Sequence, residues 1–135
     1  MSYPITDIEG IDGETAGILK SAGIRTTARL LESARTVRGR KLLAAKTGLG
    51  EKTLLRWANV ADRMRIKGIS REYAELLRVA GVDTVKELKY RNPCNLAQAM
   101  AEANKKQKLV RMLPSEKVVA RWIEHARKLP LKITY

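Results

Sequence analysis

IKGISREYAELLRVAGVDTVKEL, residues 66–88, repeats a stretch found 58 positions earlier, IEGIDGETAGILKSAGIRTTARL, residues 8–30. Ten of the 23 aligned positions are identical, among them Gly10/Gly68, Ala16/Ala74, Leu19/Leu77, Gly23/Gly81, Thr26/Thr84 and Leu30/Leu88. Ordinary residue frequencies would give on the order of one or two matches by chance. The kept positions are those that two helices and a tight turn need: small residues, apolar anchors, a turn glycine and a capping threonine. The chain therefore carries an internal repeat, and repetition governs the reading of everything else.

Working outward, residues 48–64 (GLGEKTLLRWANVADRM) align with residues 113–129 (LPSEKVVARWIEHARKL) at an offset of 65. Glu51/Glu116, Lys52/Lys117, Arg56/Arg121, Trp57/Trp122 and Ala61/Ala126 coincide. The offset grows by seven, so the second copy holds a seven-residue insertion, placed within residues 92–108 around Pro93. There Leu96, Ala99, Met100 and Ala103 mark an added or lengthened helix. In the first copy Ile18, Leu19 and Ala22 form one apolar stripe and Ala28, Leu30 and Leu31 another. In the second, Tyr73, Leu76, Leu77 and Ala80 repeat the first. Gly23 and Gly81 fall where helices end. Thr26 caps the next helix, Ser70 is placed to cap its own, and Thr84 with Glu87 gives a capping box. No segment alternates as a strand does. The expected fold is all-α: two copies of a double helical hairpin, residues 1–65 and 66–135.

The 135 residues include 27 Lys and Arg against 14 Asp and Glu, a net charge of +13 and a pI near 10.2. Such a surplus favours a polyanionic partner, nucleic acid first. With one cysteine, Cys94, and one histidine, His125, neither a disulfide nor a His/Cys metal cluster is expected, and no cofactor is implied. Nothing reads as a signal peptide or a membrane span, so no membrane and a cytoplasmic location are expected. No nucleophile–base or nucleotide-cradling set stands out, which argues against an enzyme and against a small-molecule substrate.

Positive charge is concentrated in the second part of each copy. Residues 35–65 hold nine basic and two acidic residues, net +7, and residues 104–132 hold the same. Residues 8–34 come to −1 and residues 66–91 to +2. Within the first basic region lies TGLGEK, residues 47–52. Glycines flanking one apolar residue let backbone approach another surface closely. Amides at the start of the next helix then face outward and can hold a phosphate. The expected contacts are Gly48, Gly50, Lys52, Thr53 and Arg56, with Arg38, Arg40 and Lys41 in the run before them. The matching turn in the second copy lacks glycine and leans on Ser115, Lys117 and Arg121, preceded by Lys105, Lys106 and Lys108. Lys67, Gly68, Ser70 and Arg71 form a further candidate turn, whereas at residues 10–12 Asp12 stands where a phosphate would sit. Trp57 and Trp122 read as core anchors and not as base-stacking platforms; His125 reads as an ordinary imidazole.

The Gly–apolar–Gly turn followed by lysine resembles the helix-hairpin-helix motif of DNA-binding proteins without sequence specificity. The order YAELLRVAGVDTVKEL, then a GLGEKTL-like turn, is similar to the C-terminal domain of the bacterial RNA polymerase α subunit, a SAM-like fold. Where that domain reads DNA with an arginine and an asparagine, this chain has Glu14 and Gly17, then Glu72 and Glu75. The resemblance therefore implies the Gly50/Lys52/Thr53 edge and not promoter-style groove reading. Across nearly its whole length the chain resembles a bacterial tandem helix-hairpin-helix family catalogued as a domain of unknown function (DUF4332), which implies a fold and no activity. Together these readings imply a non-enzymatic protein that binds duplex DNA through phosphates with low sequence specificity. The competing reading is a helical scaffold for a protein partner, with no nucleic-acid binding.

Overall fold

Helix ends are where this sequence spends its polar residues. In the structure, a computed structural model describing residues 2–135, most of the helices begin on a side chain that accepts from their own first turn. After a short 3-10 turn at Ile5–Asp7 come α1 (Gly13–Ser21), α2 (Thr27–Ala34), α3 (Val37–Thr47) and α4 (Glu51–Arg63). The second copy follows in the same order as α5 (Arg71–Val79), α6 (Val85–Leu88), α7 (Pro93–Gln107) and α8 (Glu116–Lys128). The chain is all-α, with no strand among the described residues; one antiparallel bridge, Pro4 to Thr26, ties the lead-in to the start of α2.

Thr26, Thr36, Thr84, Asn92 and Ser115 accept from the amides of Arg29, Gly39, Glu87, Asn95 and Val118, each three residues on. At Thr84 the hydroxyl also reaches the Glu87 carboxylate at 3.1 Å, completing the expected capping box. Ser70 differs from expectation: it occupies the N-cap of α5 yet makes no side-chain cap bond. Its ψ of −168° lies beyond the 155–161° of the threonine and serine caps. Asp12 adopts a similar ψ of −178° but its longer side chain still reaches the Thr15 amide at 2.8 Å.

The copies differ where the insertion was placed. Helix α7 has 15 residues against 11 in α3, and the connection to α8 is five residues longer than that from α3 to α4. The lengthened helix packs along both α8 and α5.

A single buried apolar cluster runs through both copies, from Ile5 to Ala126. Each fully buried Leu or Ile in it contributes about 1.5–3 kcal/mol relative to solvent exposure. Leu19, Leu30, Leu31, Leu76, Leu77, Leu96 and Met100 are buried as their periodicity requires, whereas Ile18 and Ala28 face outward. Thr27 takes the inward place beside Leu30 and Leu31, its hydroxyl accepting from the Tyr3 amide. No helix among the described residues is long and apolar enough to cross a membrane.

The two tryptophans explain a glycine that each copy keeps. Trp57 and Trp122 are buried, and Gly10 and Gly68 stand over their indole nitrogens with φ of +95°. A Cβ would lie 3.5 Å from Trp57 Nε1 at Gly10 and 3.0 Å from Trp122 Nε1 at Gly68. Backbone conformation and proximity both demand glycine there. These glycines close the core over an aromatic ring, so Gly68 serves packing where the sequence had suggested a phosphate turn.

Candidate nucleic-acid interface

The turn between α3 and α4 is built from its own short bonds. Gly48 is left-handed (φ +77°) and its amide donates to Ala44 at 2.8 Å, ending α3. Thr47 donates its hydroxyl to Leu43 at 2.7 Å and accepts from the Leu49 amide at 3.2 Å. Leu49 is half-buried against the core and pins the loop. Gly50 then occupies the N-cap of α4 with no side chain to offer. The first-turn amides of α4 consequently lack an intrahelical or side-chain acceptor among the described residues, and the helix dipole adds positive potential there. Lys52 and Arg56 are exposed one turn apart and form no ion pair among the described residues, while Thr53 is half-buried beside Gly50.

The matching start of α8 is different. Ser115 caps it, accepting from Val118 at 3.2 Å, so one amide already has an acceptor. Lys117 and Arg121 are exposed on its first two turns. The start of α1 is closed to anions altogether: the Asp12 carboxylate occupies the Thr15 amide, and that bond holds its pKa below the ordinary value.

The structure brings some of the expected residues together. Lys67, Gly68 and Arg121 line one cleft with His125, whose Nδ1 accepts from the Lys67 amide at 3.3 Å. Arg56 lies between two clefts at the junction of the copies, one shared with Glu9 and Glu75, the other with Lys52. Arg38 and Lys41 are exposed on α3, and Lys106 and Lys108 around the end of α7. Others are committed elsewhere. Arg71 pairs with Glu9 at 3.1 Å and Lys105 with Glu102 at 3.3 Å, both in solvent, where such pairs hold weakly.

Arg40 leaves the basic run. It is 4 % exposed, donating to the Ala34 carbonyl at 2.9 Å and to the Thr134 carbonyl at 2.6 Å. The spacing of Arg38, Arg40 and Lys41 suggested one cationic stripe, but 200° of helical rotation separates positions two apart, and Arg40 faces inward.

Sequence reasoning missed the chain's last residues and Arg63. Residues 131–135 return to the first copy, where the Thr134 amide donates to Arg35 and Tyr135 donates to Asn59 at 2.9 Å. Beneath them Asp62 binds Arg65; burial raises the Asp62 pKa while Arg65 pulls it back. Arg63, at the end of α4, is 1 % exposed. No periodicity marks that burial, because it comes from the second copy packing against α4.

The family described as Domain of unknown function (DUF4332) matches residues 9–129, spanning both copies. The chain belongs to the DUF4332 family. No curated protein and no solved structure matches this DUF4332 chain.

Proposed function

We propose that this DUF4332 protein is a non-enzymatic binder of duplex DNA, built as tandem helix-hairpin-helix repeats like those at the C-terminus of the polymerase α subunit. The observation that carries the reading is the start of α4, where Gly48 and Gly50 leave first-turn amides without an acceptor beside Lys52 and Arg56. A helix start of this kind favours an anion through directed N–H groups and the dipole together. The net charge of +13 supplies long-range attraction to a polyanion. Amides and cations contact phosphates, which position a protein on DNA without reading bases. The second copy adds Lys117, Arg121, Lys67 and Lys106, and Arg40 takes no part.

The test is fluorescence anisotropy on labelled random duplex, single strand and RNA hairpin at two salt concentrations. Duplex binding with a steep salt dependence is expected; six neutralised phosphates correspond to a log–log slope of roughly −5. Lys52→Glu with Arg56→Glu should weaken binding sharply and leave helicity unchanged by circular dichroism. Equal affinity in the double variant, or no duplex binding at low salt, overturns the reading and turns attention to a protein partner.

A further inference from the structure

Where the second copy packs against the first, α4, the turn after α5 and the chain's last residue enclose a cleft of about 450 Å³. That volume is within the range of small-ligand sites. Four cations line it, Lys52, Arg56, Arg63 and Arg78, against two carboxylates, Asp83 and Glu87. Arg78 is held by Glu75, and Glu87 receives the Thr84 hydroxyl. Lys52 and Arg56 are unpaired among the described residues.

Arg63 is the anomaly. Its Nη1 donates to the Asp83 carbonyl, while Nε and Nη2 are sealed from solvent and meet no acceptor among the described residues. No carboxylate among the described residues pairs with it. Burial pushes its pKa down to about 10, against the pull of Asp83 and Glu75, so the group is charged at neutral pH. A buried charge with unused donors is costly to keep. The repeat does not require it: the equivalent position in α8 is Lys128, which is exposed. A guanidinium is a planar fork that suits phosphate oxygens, and it keeps its charge where a lysine would lose it.

We propose that this junction cleft binds a phosphate monoester, with Arg63 as its floor and Lys52 and Arg56 at its mouth. The dianion balances the cationic surplus of the lining, and it reaches the unused Arg63 donors by displacing the side chains that seal them. A free nucleotide and the terminal phosphate of a DNA strand share this chemistry. The site does not depend on the duplex reading, although it borrows two of its residues.

The full chain is titrated with sodium phosphate, adenosine 5′-monophosphate and adenosine, each against sodium chloride at matched ionic strength. The readouts are melting temperature and the Arg63 Nε–H resonance in the ¹⁵N-labelled protein. Phosphate and the nucleotide should raise the melting temperature and shift that resonance; adenosine should do neither. Arg63→Met, close in volume, should fold and lose the melting-temperature response. If it fails to fold, the wild-type resonance still decides. An unmoved Arg63 resonance, or a response that persists in Arg63→Met, overturns the proposal. Two duplexes then separate the sources. A closed dumbbell without ends reports the α4 grip alone, so its failure to bind touches only the duplex reading. A linear duplex binding more tightly with 5′-phosphate than with 5′-hydroxyl, a gain erased by Arg63→Met, assigns the site to strand ends. Equal binding of the two assigns it to the free monoester.

Discussion

Gly68 and Gly10 hold the same backbone place over equivalent tryptophans, yet they are not equally tight. At both positions the left-handed φ strains any residue with a Cβ, which costs about 1–3 kcal/mol. At Gly68 the added methyl would also press on Trp122 Nε1 at 3.0 Å, inside normal contact, whereas at Gly10 the 3.5 Å distance is ordinary. Gly68→Ala should therefore lower stability more than Gly10→Ala, measured as the shift in urea midpoint at unchanged slope. Equal losses would mean that φ alone sets the requirement. The repeat alignment marked these glycines as kept but could not say why, because the tryptophans they cover lie 47 and 54 positions away.

The helix starts form a series in which two members stand apart. Polar side chains close α1, α2, α3, α6, α7 and α8, whereas α5 begins on a Ser70 that makes no cap bond and α4 on Gly50, which has no side chain to make one. A glycine N-cap is only a few tenths of a kcal/mol worse than a polar one, so leaving α4 open costs the fold little. Gly50 has φ −71° and ψ 144°, which any residue can adopt, and room for a Cβ beside Thr53. Gly50→Asp should raise the melting temperature slightly and weaken duplex binding, since the new carboxylate would occupy the amides offered to phosphate. Unaltered affinity in this variant would remove the α4 amides from the interface. The helix stops were legible: Gly23 and Gly81 were expected where helices end, and α1 and α5 stop two positions before them. The failed cap at Ser70 was not, because a 30° difference in ψ leaves no trace in sequence.

Seen whole, the molecule is two unequal copies sharing one core, and the inequality concentrates at α4. Its outer positions Asn59, Asp62 and Arg63 are buried by the second copy and the returning chain end, while their α8 counterparts, Glu124, Arg127 and Lys128, face solvent. The seam beside α4 includes Arg40, whose guanidinium joins the end of α2 to Thr134. Arg40→Ala should destabilise by about 1–3 kcal/mol for the buried Ala34 carbonyl left without its donor. Arg38→Ala, two residues away and exposed, should stay within about 0.5 kcal/mol while weakening DNA binding. Urea unfolding and anisotropy on both variants separate the roles; equal stability loss would place Arg38 in the seam as well.

What the sequence determined by itself was local: helix positions, their stop glycines, the caps at Thr26 and Thr84, the doubled plan and the glycine turn at residues 48–50. Each depends on residues within a few positions, where propensity, capping and periodicity act directly. Tertiary structure alone decided which cations remain outside. Arg40, Arg63 and Arg38 carry the same charge within one basic stretch, residues 35–65, but the chain end covers the first and the second copy the second. Burial depends on contacts between segments as far apart as Arg40 and Thr134, and no local pattern encodes those.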